Sequence, residues 1–259
     1  MKVFAVIPTY NEAKNLEELI KQIFTLQPEF NLIIVDDSSP DGTGDIADEL
    51  AKQDSRINVV HRSEKMGLGT AYVRGFKEAL AKGADLIFEI DADFSHDPKY
   101  LEDFLEAAKK YDLVIGSRYV DGVRVEGWKF RRLLLSKFAN MYVSYIMVRP
   151  VWDFTAGYRC YRRKVLETID LDSIKSDGYA FQIEMIYLTF KNKFSVHEIP
   201  IIFKERKHGY SKISRKVVRE AFWITLRFRA PITKIIKHLS YFFKDYDEFV
   251  SNSSQNSDE

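Results

Sequence analysis

Short apolar runs alternate with helical repeats over the first 116 residues of the chain. The runs predict five buried strands, at residues 2–7, 31–35, 57–60, 86–90 and 113–115. Between them, apolar residues recur every three or four positions, which predicts helices at residues 12–26, 46–51, 67–80 and 101–108, with Asn11 as a candidate N-cap of the first. Strands that alternate with helices predict βαβ units and an α/β fold, a mostly parallel sheet flanked by helices.

The pattern is looser after residue 118. It predicts an amphipathic helix at residues 130–148, a helix at 179–190, a strand at 195–203 and an apolar, aromatic helix at 217–228 with basic flanks. We interpret residues 1–244 as one domain, divided near residue 118 into two halves, and residues 245–259 as a disordered tail. No window reaches the roughly 18 apolar residues of a membrane-spanning helix, so we predict none.

The composition indicates a folded core, a basic region near the C-terminus and a reducing environment. Apolar residues make up 46% of the 259 residues, which is enough for a folded core. The net charge is only +1, but residues 191–244 contain 14 Lys and Arg against three acids. Such a basic region favours a phosphate-bearing partner, or is simply a solvated helix face. Cys160 is the only cysteine, which excludes an internal disulfide and is consistent with a reducing compartment.

Two acidic side chains directly follow the fourth predicted strand. Asp91 and Asp93 stand one residue apart, and residues 95–98 then break the chain. Ligands of open α/β sheets bind beyond the carboxyl ends of the strands, where two carboxylates favour a divalent cation that carries phosphate oxygens. The alternative is that both acids cap the next helix. The spacing alone decides nothing, because the chain contains two further Asp-x-Asp triplets.

Other phosphate signals are mixed. No Gly-x-Gly-x-x-Gly follows a strand and no P-loop occurs, which excludes an ordinary dinucleotide-binding fold. Gly67 and Gly69 indicate a loop that enters a helix. Arg131 and Arg132 stand at the start of the helix at 130–148, where positive charge opposes the helix dipole. They favour a bound anion there, although a surface pair of arginines explains them equally well.

Eight motifs occur in one order along residues 3–215. They are Ile7-Pro-Thr-Tyr-Asn-Glu12, Ile34-Val-Asp-Asp-Ser-Ser-Pro-Asp-Gly-Thr43, Gly67-Leu-Gly-Thr-Ala71, Asp91-Ala-Asp-Phe-Ser-His96, Gly116-Ser-Arg-Tyr119, Asp153-Phe-Thr-Ala-Gly157, Gly178-Tyr-Ala-Phe-Gln-Ile-Glu-Met185 and Arg206-Lys-His-Gly-Tyr-Ser-Lys212. Each motif alone is weak to moderate evidence, whereas the ordered set is highly specific. The ordered set resembles the inverting family 2 glycosyltransferases of the GT-A fold and, more narrowly, the dolichol-phosphate (polyprenol-phosphate) mannose synthases.

The resemblance implies a nucleoside pocket at the ends of the first two strands. Pro8, Tyr10 and Glu12 would line it. Val35 and Asp37 would hold the base and ribose, and an ionised carboxylate suits a ribose hydroxyl because it only accepts hydrogen bonds.

It also implies a site for the sugar diphosphate. Asp91, Ala92 and Asp93 would meet the sugar nucleotide, with Asp91 and Asp93 at Mg²⁺ or Mn²⁺. Ser95 stands where some relatives carry a metal-binding glutamine, so direct ligation by Ser95 is not implied and water can take that place.

Basic residues are implied on both sides of the reaction. Arg118, Arg132 and Ser136 match positions that grip the phosphate of an acceptor lipid, and Arg206 and Lys212 match a lid over the diphosphate. The implied reaction transfers mannose from GDP-mannose to dolichyl or polyprenyl phosphate. One phosphate oxygen attacks the anomeric carbon in line with the leaving diphosphate, and a single displacement inverts that centre. Asp91, Asp93 and Arg118 are the expected catalytic residues.

The resemblance further implies a peripheral protein at the cytoplasmic face of a membrane. It would be held there by the basic, aromatic segment 216–244 or by a separate anchoring subunit, and nucleic acid is not an expected partner. Three alternatives remain open: transfer of glucose from UDP-glucose to polyprenyl phosphate, transfer to a non-lipid acceptor, and a non-catalytic nucleotide-binding scaffold.

Overall fold

A computed structural model describes residues 1–147 and 149–204 of the chain. Its strands are β1 (Val3–Thr9), β2 (Phe30–Asp36), β3 (Ile57–His61), β4 (Leu86–Glu89), β5 (Leu113–Ser117), β6 (Val125–Glu126), β7 (Arg159–Arg162), β8 (Val196–Pro200) and β9 (Phe203–Lys204). Its helices are α1 (Leu16–Leu26), α2 (Thr43–Gln53), α3 (Leu68–Ala81), α4 (Leu101–Ala108), α5 (Phe130–Met147), α6 (Arg163–Thr168) and α7 (Gly178–Lys191).

One sheet organises the described part of the chain. Its seven strands run in the order β3-β2-β1-β4-β7-β5-β8, and β6 pairs with β9 apart from it. Within the large sheet only β7 is antiparallel to its neighbours, β4 and β5. The carboxyl ends of β1, β2, β4 and β5 therefore lie along one edge, where open α/β sheets bind their ligands.

The strands are buried on both faces, which explains their continuous apolar runs. Val6 and Ile33 belong to a core with α3, α5, α6 and α7, whereas Ile7 and Ile34 belong to a second core with α1, α2 and α4. Helix α3 approaches β1 closely at Gly75. A Cβ there would collide with Cγ1 of Val6, so the packing requires glycine.

The five predicted strands of the first half are confirmed, as is the mostly parallel sheet. Strand β7 was not predicted. Arg159 and Arg162 stand at its ends and leave only two apolar residues between them, too few for a recognisable run. Arg159 is nevertheless fully buried, because its guanidinium group donates hydrogen bonds to backbone carbonyls of the surrounding loops and of α7.

The first helix begins later than its apolar pattern predicts, and the predicted cap is wrong. Helix α1 begins at Leu16, with Asn15 at the N-cap position. Asn11 instead has a φ of 63°, a left-handed conformation that asparagine tolerates better than most residues. It therefore belongs to the turn that follows β1.

Helix α5 is confirmed, but it is not amphipathic in the expected sense. Asn140, Val143 and Ile146 are buried on one side of it. A second apolar stripe is exposed, and its members are Phe130, Leu134, Leu135, Phe138, Met141 and Tyr145. Exposed apolar stripes of this kind are typical of interaction sites.

None of the helices in the described part of the chain is both long and apolar enough to cross a membrane. Several predictions fall beyond residue 204 and so lie outside the described residues. They are the helix at 217–228, the basic segment 216–244, the tail 245–259, and the roles of Arg206 and Lys212.

Candidate active site

The residues predicted for the nucleoside lie together where β1 and β2 end. Pro8 is paired with Val35 in the parallel ladder, and the backbone N–H of Asp37 donates to the carbonyl of Thr9 at 3.1 Å. Tyr10 is 37% exposed, and Nζ of Lys65 lies 3.9 Å from the centre of its ring.

Glu12 follows on the same loop and is anchored at both its backbone and its side chain. Its backbone N–H donates to Oγ1 of Thr43 at 2.9 Å, and its Oε2 accepts from Nδ2 of Asn15 at 2.7 Å. The sheet thus brings all five predicted nucleoside residues to two neighbouring strand ends.

Asp37 is held by an arginine that the sequence pattern did not single out. Nε and Nη2 of Arg62 donate to the two carboxylate oxygens of Asp37 at 2.5 and 2.6 Å, and both side chains are 8% exposed. Arg62 also donates to Thr70 and to the carbonyl of Gly67, at the start of α3. A ligand hydroxyl can therefore use only the remaining lone pairs of Asp37, in an orientation that Arg62 has already fixed.

Asp91 follows β4 and is held from two sides. Its Oδ1 accepts from the hydroxyl of Tyr72 at 2.7 Å, and its backbone N–H donates to Nδ1 of His96 at 2.9 Å. Burial, helped by the carboxylates of Asp91, Glu89 and Asp93, raises the pKa of Tyr72 well above its ordinary value. The phenol therefore stays protonated and continues to donate. His96 in turn stacks on Tyr158, with ring centres 4.9 Å apart.

Asp93 and Ser95 form the turn below Asp91. Oδ1 of Asp93 accepts from the backbone N–H of Ser95 at 2.9 Å, and the two side chains are 3% and 1% exposed. The helix-capping alternative is wrong, because the next helical turn is capped by Asp97, whose side chain accepts from the N–H of Lys99.

The chemistry of this turn fits a hard divalent cation. Oγ of Ser95 is buried with no hydrogen-bond partner in the described part of the chain, and it follows two carboxylates. Carboxylate and hydroxyl oxygens are ligands that Mg²⁺ and Mn²⁺ accept, with waters and substrate phosphates completing the shell. No group of three or more His, Cys, Asp or Glu side chains that could hold a metal occurs within residues 1–147 and 149–204.

A cavity of about 260 Å³ opens beside this turn. Its wall includes Asp91 and His96 from residues 91–96, hereafter the acidic turn. It also includes Arg118, which follows β5, and Arg132 of α5. The structure therefore brings three of the predicted charged residues, Asp91, Arg118 and Arg132, to one cavity. A reaction between two anions needs such a combination, an acid to hold a bridging cation and bases to hold a second anion.

Other predicted residues lie outside this wall. Asp93, Ser95 and Ala92 are buried in the turn, and Ser136 does not line the cavity. Oγ of Ser136 instead accepts from the hydroxyl of Tyr119 at 2.7 Å.

Arg118 is paired within the protein. Its Nε and Nη2 donate to the carboxylate of Asp153 at 2.7 and 2.6 Å, and Nη2 also donates to Oγ1 of Thr155. Burial lowers the pKa of Arg118, but the neighbouring Asp153 carboxylate more than offsets this and raises it above its ordinary value. Asp153, which is fully buried, therefore serves to orient Arg118 rather than to act as a base.

Arg132 lies on an aromatic side chain. Its guanidinium carbon is 4.0 Å from the ring centre of Trp128, and that of Arg118 is 5.4 Å from the same ring. An indole face attracts cations, so Trp128 helps to keep two positive groups close together.

Known proteins of similar structure support the fold. Glucosyl-3-phosphoglycerate synthase of Mycobacterium tuberculosis, solved with Mn²⁺, UDP-glucose and phosphoglyceric acid, matches with a TM-score of 0.65 over 88% of this chain and 79% of that chain, at 19% identity. The family model "Glycosyl transferase family 2" matches residues 4–170. The chain belongs to glycosyl transferase family 2.

Curated relatives are considerably more similar to this family 2 glycosyltransferase. The polyprenol monophosphomannose synthase of Mycolicibacterium smegmatis is 47% identical over 224 residues, 86% of this chain and 84% of the relative. The undecaprenyl-phosphate mannosyltransferase of Micrococcus luteus is 44% identical over 221 residues, 85% and 91% of the two chains. The predicted family, GT-A fold and class of enzyme are confirmed, whereas the roles of individual site residues stay predictions.

Four residues of this glycosyltransferase site were missed or only quoted within a motif. Arg62 and Trp128 carried no periodic signal, and Trp128 is recognisable only by its spatial partners, Arg118 and Arg132. Gln182 and His96 stood inside quoted motifs without an assigned role. Arg62 directly follows strand β3, and a charged residue at a strand end is the sequence signal that could have found it.

Replacing Asp153 by asparagine should destabilise the glycosyltransferase. The change leaves the buried guanidinium group of Arg118 without its counter-charge, and breaking a buried pair from one side costs about 3 kcal/mol or more of the free energy of unfolding. Urea unfolding of the two proteins measures this. Asp121→Asn, at an exposed left-handed position that asparagine tolerates, is the matched control and should leave stability unchanged. Equal stability of Asp153→Asn and the wild type would contradict the assigned role.

Proposed function

We propose that this chain transfers mannose from GDP-mannose to dolichyl or polyprenyl phosphate with inversion, giving a polyprenyl β-mannosyl phosphate and GDP. The observation that carries the proposal is the single cavity shared by Asp91, Arg118 and Arg132. A nucleotide sugar needs the acidic side through a bridging cation, and a second phosphate needs the basic side. The names of the two curated relatives supply the sugar and the lipid.

The donor side contains residues that would hold the cation and residues that orient Asp91. Asp91 and Asp93, with Ser95 directly or through water, would hold Mg²⁺ or Mn²⁺. When bound, the cation stabilises the negative charge that develops on the departing diphosphate. Tyr72 and His96 keep Asp91 in place by their hydrogen bonds.

The nucleoside would lie at the ends of β1 and β2. Pro8, Tyr10, Glu12 and Val35 would line its pocket, and Asp37, fixed by Arg62, would accept hydrogen bonds from it. Arg206 and Lys212 are proposed to cover the diphosphate, from outside the described residues.

The acceptor side needs alignment rather than a base. A phosphomonoester is already anionic at neutral pH, because its second pKa is about 6. Arg118 and Arg132 would hold it against the repulsion of the donor phosphates, so that one oxygen points at the anomeric carbon. Asp153 keeps Arg118 in the required orientation. A direct displacement then forms the new C–O bond as the bond to the diphosphate breaks.

We further propose that the protein works at a membrane surface, on the cytoplasmic face where nucleotide sugars are available. The exposed apolar stripe of α5 supports this, together with Arg131 and Lys137 on the same helix. Apolar side chains enter the lipid boundary while neighbouring cations meet anionic head groups. The basic segment 216–244, or a separate anchoring subunit, would add the second contact that stable attachment needs.

Replacing Phe138 by aspartate should weaken membrane binding. Phe138 is 65% exposed in the apolar stripe, so the change removes a contact with lipid and adds repulsion from anionic head groups. We expect the bound fraction in co-sedimentation with phosphatidylglycerol-containing vesicles to fall severalfold. Lys14→Asp, a larger change of charge at an exposed position before α1, tests whether charge alone explains the loss. An equal loss for both variants would count against the stripe.

A direct assay separates the proposed reaction from its alternatives. The protein is incubated in detergent with Mn²⁺, polyprenyl phosphate and either GDP-mannose or UDP-glucose. We expect a mannosylated lipid from GDP-mannose and no product from UDP-glucose or without lipid. Glucosyl lipid would favour the first alternative, transfer without lipid the second, and no turnover with either donor the scaffold.

A further inference from the structure

Gln182 is a polar side chain of the cavity to which the proposed reaction gives no role. It lies in α7, lines the cavity and is only 3% exposed. Its Nε2 donates to Oε2 of Glu89 at 2.8 Å. Because a carboxylate accepts and an amide N–H donates, this bond turns the NH₂ group toward Glu89 and the oxygen Oε1 away from it.

Oε1 of Gln182 makes no hydrogen bond within the part of the chain that the structure describes. Native structures rarely leave a buried acceptor unpaired, so such a group in a cavity indicates a ligand that donates. Phosphate groups in their ionised form have no proton to donate. A sugar hydroxyl does.

The position of Gln182 is fixed by its surroundings. Nη1 of Arg159 donates to the backbone carbonyl of Gln182 at 2.9 Å, and Nε of Arg159 donates to that of Ala156 at 2.8 Å. One fully buried arginine thus fixes the position of α7 relative to the loop before β7. Gln182 is therefore placed before any ligand arrives.

Gln182 also lies close to the acidic turn. A Cβ on Gly157 would lie 3.6 Å from Nε2 of Gln182 and 3.3 Å from Cε1 of His96, and Nδ1 of the same His96 accepts from the backbone N–H of Asp91. The absence of a side chain at Gly157 keeps the space between Gln182 and His96 open. This space adjoins the carboxylate that the proposed function gives to the donor.

The reacting sugar must occupy the same cavity. In a direct displacement its anomeric carbon lies between the leaving diphosphate, near Asp91, and the attacking phosphate, near Arg118 and Arg132. We infer that Oε1 of Gln182 accepts a hydrogen bond from a hydroxyl group of the donor sugar and thereby selects among sugars. The inference rests on the proposed function. A site built to bond a particular hydroxyl discriminates strongly against a sugar that lacks it or presents it elsewhere.

Donor analogues provide the test. GDP-mannose and its four single-deoxy analogues are compared as donors for wild-type protein and Gln182→Met, which keeps the length of the side chain and removes both the oxygen and the NH₂ group of the amide. For one analogue we expect a wild-type loss in kcat/KM of about 100-fold, the effect of leaving a buried acceptor unpaired. In Gln182→Met the same analogue should have the same kcat/KM as GDP-mannose, because the hydroxyl group that the analogue lacks no longer has a partner in the protein.

The other outcomes each decide a point. If the penalties for all four analogues are unchanged in Gln182→Met, the inference is wrong although the proposed function stands. If Gln182→Met binds Mn²⁺ more weakly in the presence of GDP, Gln182 serves the metal and the inference is equally wrong. Calorimetry gives a result without turnover: Gln182→Met should lose affinity for GDP-mannose but not for GDP.

Two further variants guard against a folding defect. Gln182→Asn keeps the amide but shortens it, and should reproduce the loss of selectivity if Gln182→Met does not fold. Gln53→Met, on an exposed helix end, should leave selectivity unchanged. Failure of the wild type to make mannosyl lipid would refute the proposed function. A lower affinity of Gln182→Met than of the wild type for GDP-mannose, with equal affinities for GDP, would still support a sugar contact at Gln182.

Discussion

Asp91→Asn is expected to lower kcat/KM for mannosyl transfer by about a thousandfold, the effect of removing a charge that serves the transition state. The amide is nearly isosteric and can still accept the hydrogen bond from Tyr72, so the fold is preserved. What it loses is the negative charge beside the cavity, which the cation and the donor diphosphate require. Initial rates with GDP-mannose and polyprenyl phosphate over a range of Mn²⁺ concentrations measure the loss.

The chain supplies a matched control for this change. Asp172 belongs to another Asp-x-Asp triplet, is exposed and pairs with Lys77 at the surface. Exposed pairs of this kind contribute little, so Asp172→Asn should retain full activity. Calorimetry with Mn²⁺ and GDP adds a second readout, in which Asp91→Asn should bind the metal more weakly. Equal activities of the two variants would show that the acidic turn does not hold the donor.

Local patterns predicted the sheet well, because burial on both faces gives β1, β2, β4 and β5 uninterrupted apolar runs. They also located the acidic turn, since Asp91 ends such a run. Strand β7 escaped for the opposite reason. Arg159 is charged, yet the backbone carbonyls around it satisfy its donors, and apolar periodicity contains no information about such compensation.

The candidate site was predictable by residue type but not by pairing. Asp37 was expected to face a ligand, and the structure shows Arg62 on its carboxylate. Arg118 was expected to face a phosphate, and Asp153, 35 residues further along, already neutralises it. Periodicity shows which side chains are buried but not which distant charge a buried charge meets. That choice depends on the order of strands across the sheet.

These pairings also separate two kinds of basic residue in the cavity. Arg118 has Asp153 as its counter-ion, so its removal would strand a buried carboxylate and alter stability as well as binding. Arg132 is half-buried and rests on Trp128. Arg132 is the less buried of the two, so its substitution should disturb the fold less and is the cleaner experiment on the acceptor.

Arg132→Ala is expected to raise KM for polyprenyl phosphate by about 10- to 100-fold, which corresponds to the loss of a charge-assisted hydrogen bond. KM for GDP-mannose should stay unchanged, because the donor is held by the acidic turn and the strand ends. Arg74→Ala removes the same side chain from an exposed position of α3 and should alter neither KM. Equal increases in KM for donor and acceptor would contradict the assignment of Arg132 to the acceptor phosphate.

Arg132→Lys distinguishes charge from geometry at the same position. Lysine keeps the positive charge but presents it as a point, whereas the planar guanidinium group stacks on an indole and bonds a phosphate twice. If alignment of the attacking oxygen limits the reaction, Arg132→Lys should recover the affinity for polyprenyl phosphate yet remain low in kcat. Full recovery of both kcat and KM for polyprenyl phosphate would mean that the cavity needs only positive charge near Trp128. A low kcat with normal KM would make the guanidinium plane part of the alignment that this mechanism uses in place of a base.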